Sequence, residues 1–122
     1  MNDQSKFEGM TIKVTFIDPW DFVTTNGSGP FTATVLKAGE SPVDNELSLL
    51  LKMDTPLHTP DSECQYFVGK PRHEGASLNQ IFSGDPVGCG LTCIPEDKAL
   101  GPNPLDLSWW RGGLAVIADV SR

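Results

Sequence analysis

The sequence predicts a mainly β fold, a small antiparallel sandwich or partly open barrel of about six strands with one short helix. Three observations carry this. Short apolar–polar alternations recur along the chain. Glycine and proline, 12 and 10 of the 122 residues, punctuate them. There is no internal repeat or low-complexity tract that would place the chain among solenoids or disordered segments.

The first residues are polar and aperiodic, so residues 1–10 are expected to form a flexible N-terminal segment ahead of a single β-rich domain, 11–122. In Thr11–Ile17, Ile12, Val14 and Phe16 alternate with Thr11, Lys13 and Thr15, the pattern of a strand with one buried and one wet face. Pro19 and the run Asn26-Gly-Ser-Gly-Pro30 break it, and Asp18 and Asp21 suit an Asx turn better than a pair of acid–base carboxylates. Phe31–Ala38 alternates again.

Glu46–Met53 fits either a buried strand or two turns of helix; as a strand it sets Leu47, Leu49, Leu51 and Met53 on one face. We read it as a strand because its neighbours are strands. Asp54–Glu63, with Pro56 and Pro60, reads as a loop, and Cys64–Gly69 as a short strand. Ser77-Leu-Asn-Gln80 has the form of a capping box, opening a short helix whose apolar face is Leu78, Ile81 and Phe82.

Val87–Ile94 places Val87, Cys89, Leu91 and Cys93 on one face and bares the other with Gly88 and Gly90, which suits a close backbone approach, a bulge or a ligand. Pro95–Pro104 is irregular. Trp109–Val120 closes the chain on a strand.

With 39% apolar and 20% charged residues the chain has enough hydrophobic material to fold, and its length suits one core. No stretch approaches the roughly 20 apolar residues of a membrane span, and the N-terminus lacks the features of a secretory signal. Three cysteines, Cys64, Cys89 and Cys93, are too few for a disulfide scaffold, so reduced buried thiols are expected. A cytoplasmic location follows from these readings.

The net charge of −7 opposes nucleic acid and anionic membranes, and no basic cluster offsets it. Glu40, Asp44, Glu46, Asp54, Asp61 and Glu63 concentrate in one segment where Lys52 is the only cation, which points to a basic protein partner. Trp109, Trp110 and Arg111 add indoles and a guanidinium able to stack or anchor. The expected interface is therefore Asp44, Glu46, Asp54, Asp61, Glu63, Trp109, Trp110 and Arg111. Small acidic immunity proteins that mask a toxin's basic active site offer an analogy for such docking.

Cys89 and Cys93, four apart on a strand, would lie about 13 Å apart, too far for one zinc ion. Pairing of Cys64 with His58 or His73 for nucleophilic catalysis is not forced by any context. No phosphate loop, nucleophile elbow, zinc-protease helix or calcium loop is present, so neither catalytic residues nor a cofactor is assigned. The alternative is a small enzyme or small-molecule-binding β-barrel with its pocket near the Cys89–Cys93 strand. Edge strands of an open sheet would also allow homodimerisation by strand pairing.

Overall fold

Six strands follow one another around a closed barrel, each antiparallel to the next, and the last hydrogen-bonds to the first. In the computed structural model these are β1 (Thr11–Asp18), β2 (Phe31–Glu40), β3 (Leu47–His58), β4 (Glu63–Pro71), β5 (Val87–Ile94) and β6 (Ala115–Ser121). The structure describes residues 7–18, 25–40, 47–58, 63–72, 78–106 and 115–122. The mainly β class and the strand count are as expected, and closure goes further than a partly open barrel. Pairing of β1 with β6, from Lys13↔Ser121 to Asp18↔Ile117, leaves no edge strand in the described sheet. Dimerisation by edge pairing, expected of an open sheet, finds no free edge among the described strands.

A barrel this small has no lumen; its inward side chains fill it. Alternation delivers them: Ile12, Val14 and Phe16 from β1, Leu49, Leu51 and Met53 from β3, Val87, Cys89 and Leu91 from β5, Val116, Ala118 and Val120 from β6. The ring of Phe16 lies 5.4 Å from that of Phe31 and 6.1 Å from that of Phe67. Gly69 shares the inward face of Phe67. A Cβ there would stand 2.7 Å from Cδ2 of Leu91, so the missing side chain is the space Leu91 occupies.

Bulges let the strands bend enough to close. The β1–β6 register slips between Phe16 and Asp18, the β2–β3 register between Val35 and Lys37, and the skipped residues Ile17 and Leu36 are turned outward. The largest irregularity sits in β3. Lys52 pairs with Tyr66 and Leu57 with Cys64, so residues 53–56 oppose Gln65 alone. The loop expected over Asp54–Glu63 is thus in its first half a continuation of β3 to His58, with Pro56 tolerated inside the bulge, where a ladder donor is not required.

Four successive residues of β3, Ser48 to Leu51, are buried, and so are Tyr66 to Gly69 of β4. The strand reading of the leucine run is correct, yet alternation fails because both faces of the sheet are covered. Residues 95–106 leave β5, form one helical turn, α1 (Glu96–Ala99), and lie back over the outside of the barrel. There Ala99 and Leu105 pack on Leu50, Tyr66, Val68 and Ile94 as a second, smaller core. The stretch expected to be irregular is therefore a cover.

Alternate connections mark two ends. At one, the chain runs between Glu40 and Leu47 and between Pro71 and Val87; Phe7 and Ile81 both enter the main core and close this end. Phe7 is 1% exposed, and the residues after it pair onto the β2 bulge through Gly9 N–H to Val35 O at 2.7 Å and Val35 N–H to Met10 O at 2.9 Å. Within the segment expected to be flexible, Phe7 is an apolar plug that the polar composition around it obscures, while Glu8 and Gly9 are exposed; residues 1–6 lie outside the described residues. Ile81 belongs to a 3₁₀ turn, Leu78–Ser83, where a short α-helix was expected; its proposed cap, Ser77, is outside the described residues.

At the opposite end lie the exits of β1, β3 and β5 and the entries of β2, β4 and β6. Gly29 precedes β2 with φ +100°, and a Cβ on it would meet Phe31 N and Val14 O at 2.8 Å, so no other residue fits. Asn26 reaches the last residue of β3: its Nδ2 donates to His58 O at 2.9 Å, and His58 N–H donates to its Oδ1 at 2.7 Å. This two-way amide contact mimics a rung of sheet and ties the β1–β2 connection to β3.

Candidate binding surface

The β4–β5 ladder starts at Tyr66↔Ile94 and runs toward Pro71↔Cys89. On the other side of that first pair the two strands part, β4 reaching back to Glu63 and β5 passing into Pro95 and Glu96. A cleft of about 390 Å³ opens in the fork. Glu63, Gln65 and Tyr66 form its β4 side, Cys93, Ile94, Pro95 and Glu96 its β5 side, and Pro56 of the β3 bulge borders it. None of these residues is basic.

The hydrogen bonds within the cleft are one-sided. Tyr66 O–H donates to Glu96 Oε1 at 3.4 Å, and Gln65 Nε2 donates to the bulge carbonyl Met53 O at 2.8 Å. The side-chain donors thus each serve the protein, while the carboxylates of Glu63 and Glu96 keep acceptor capacity. Outside the cleft, His58 Nδ1 stands 3.9 Å from Glu63 Oε1, an exposed pair of little energetic weight. The Nζ of Lys52, directly across from Tyr66, lies 6.0 Å from the centre of its ring, at the limit of a cation–π contact.

Beneath the fork, Cys64 and Cys93 form a disulfide with their Cα atoms 6.2 Å apart. This corrects the expectation of three reduced thiols. Cysteine count could not reveal it: the two residues stand 29 apart in sequence and meet only because β4 and β5 are neighbours. The bridge removes Cys64 from thiolate chemistry and Cys93 from metal binding, and it withdraws the support that the cysteine count lent to a reducing compartment.

Cys89 is free and buried in the core. Burial first, and the charge of Asp119 second, push its thiol up to about 12. The folded protein should therefore resist iodoacetamide at pH 8. Unfolding without reductant should add one carbamidomethyl group and unfolding with reductant three, a difference read directly by mass spectrometry. Because the raised thiol must stay neutral when folded, stability should be unaffected by Cys89 below the ordinary thiol range and fall as the pH rises from there toward 12.

Of the eight residues expected at the interface, Asp54 on β3 and Glu63 on β4 are described, and both are exposed on the parts of the strands nearest the fork. Asp44, Glu46, Asp61, Trp109, Trp110 and Arg111 lie outside the described residues. Glu40 and Leu47, which flank Asp44 and Glu46 in sequence, sit at the opposite end of the barrel from Glu63.

Sequence reading missed Glu96, Tyr66, Gln65 and Pro56 as a group. The available signal was topological: in an antiparallel meander the exit of one strand stands beside the entry of the strand before it, which brings Glu96 to Glu63.

The glycine-backed outer face of β5 is not part of this cleft; at Gly90 a Cβ would meet nothing within 4 Å. Among the described residues no helix is long and apolar enough to cross a membrane. No known family matches the chain, and no match is found among characterised proteins or solved structures.

Proposed function

We propose that this protein is a non-catalytic binding protein that docks a basic protein partner through the acidic surface around the β4–β5 fork. The observation that carries the reading is the cleft itself, walled by Glu63 and Glu96 with no basic side chain among the described residues of its lining. Asp54 and Asp97, both exposed, extend the same sign of charge nearby. A surface of this kind accelerates association with a cationic partner and orients it, while apolar contacts supply the lasting affinity. Asp44, Glu46 and Asp61, with Trp109, Trp110 and Arg111, remain proposed contributors. The likeness to immunity proteins is one of electrostatic strategy. The net charge of −7 disfavours nucleic acid and anionic membranes as partners. A disulfide-bonded chain is more at home in an oxidising setting than in the cytoplasm expected from sequence.

Affinity capture from the source cells at low and raised salt tests this, with the Asp54→Asn/Glu63→Gln variant in parallel. The expected outcome is a basic protein retained in stoichiometric amount, eluted by salt, and held about ten-fold less tightly by the variant, since each charge of an interface pair carries roughly 1 kcal/mol or more. Retention of nothing, or retention indifferent to salt and to both substitutions, overturns the reading.

A second reading, a small-molecule pocket near the Cys89–Cys93 strand, is favoured by one observation. The cleft touches Cys93 and its volume lies within the range of ligand pockets. The inward face of that strand is occupied by core packing, so such a pocket lies on the fork side of Cys93 and Ile94.

A further inference from the structure

Resting on the docking reading, we infer that the cleft at the β4–β5 fork is a socket for a single arginine side chain of the partner. The argument begins with hydrogen-bond supply. Tyr66 and Gln65 already donate to Glu96 and to the Met53 carbonyl, whereas the two carboxylates, Glu63 at the start of β4 and Glu96 just beyond the end of β5, stand on either side of the cleft. An occupant that satisfies the two carboxylates must bring donors and positive charge.

The apolar surface narrows the choice. Ile94, Pro56, Pro95 and the carbon edge of Tyr66 offer little to the compact, strongly hydrated ammonium of lysine. A guanidinium is flat, more weakly hydrated, and carries N–H groups in a planar fork that can engage two carboxylates at once. A volume of about 390 Å³ exceeds one arginine side chain and leaves room for the backbone that delivers it. Lys52 beside Tyr66 shows that the rim tolerates a cation at the ring. The socket is also held in shape: the Cys64–Cys93 bridge spans the fork, and the Tyr66 hydroxyl orients Glu96.

The test uses the full disulfide-bonded chain, isotope-labelled, titrated by NMR with three capped tripeptides, Ala-Arg-Ala, Ala-Lys-Ala and Ala-citrulline-Ala. Citrulline keeps the shape of arginine and removes its charge. Shifts should concentrate on the amides of Gln65, Tyr66, Ile94 and Glu96, with the arginine peptide binding at least about ten-fold more tightly than citrulline and a few-fold more tightly than lysine. Glu63→Gln and Glu96→Gln, both at exposed residues, should each weaken the arginine peptide several-fold with an unchanged spectrum elsewhere. Equal binding of arginine and citrulline, shifts outside the fork, or indifference to both substitutions overturns the socket.

The two proposals fail separately. If the captured basic protein is retained by the Glu63→Gln/Glu96→Gln variant yet released by salt, docking stands and the socket falls. If the arginine peptide binds at the fork while no basic protein is captured, the socket stands and the docking reading falls.

Discussion

Replacing Phe67 with alanine is expected to cost about 3–5 kcal/mol, a large share of the stability of a domain this size. The ring is 0% exposed at the centre of the barrel, 6.1 Å from that of Phe16, and its strand is paired on both sides, to Leu51 and to Cys93. In an open sheet the neighbouring layer could move in to fill part of the void. Here the ring of hydrogen bonds is closed, so strands cannot approach across the interior without breaking pairing, and most of the cavity should persist. Urea denaturation of Phe67→Ala beside Leu36→Ala checks this. Leu36, on its outward bulge, should shift stability by no more than about 0.5 kcal/mol. A loss below about 1.5 kcal/mol at Phe67 would mean that the interior is not packed around that ring.

The second large effect concerns the disulfide. The Cys64→Ala/Cys93→Ala protein is expected to lose about 2–4 kcal/mol, because the bridge closes a long loop in the unfolded chain and its removal restores that chain's freedom. Wild-type protein under reductant should unfold at a similarly lowered midpoint, and the double variant should be insensitive to reductant. The consequence reaches the candidate site. The bridge joins the strands where the β4–β5 ladder ends at Tyr66↔Ile94, so its loss should let the fork widen and weaken binding even at temperatures where the barrel is intact. Equal stability of bridged and bridge-free proteins would overturn this account.

These two predictions mark the boundary between local and non-local information. β1 was readable residue by residue, since the buried Ile12, Val14 and Phe16 alternate with Thr11 and Lys13, which are exposed, and Thr15, which is half-buried. β5 was readable in the same way over most of its length: Val87, Cys89 and Leu91 face inward as expected, while Cys93 is half-buried and bridged to Cys64 and Ile94 lies in the second core. The leucine run of β3 resisted because alternation records the covering of one face only, and residues 95–106 cover the other. Pro56 was misleading: proline signals a break wherever a ladder donor is needed, and at a bulge none is. Phe7 was hidden because a single apolar residue in a polar stretch has no period to reveal it.

The candidate site was legible only in its sign. The acidic balance and two of its exposed carboxylates, Asp54 and Glu63, could be listed from composition and spacing, but not the partner wall that Glu96 and Tyr66 complete.

By itself, then, the sequence determined the β class, the strand count, the negative charge and most inward faces, all of which depend on neighbours within a few positions. Closure of β6 onto β1, the second core outside the barrel, the Cys64–Cys93 bridge and the fork were decided by the tertiary structure. Each depends on residues brought together from distant parts of the chain, and the chain's local pattern carries no record of which strands will be neighbours.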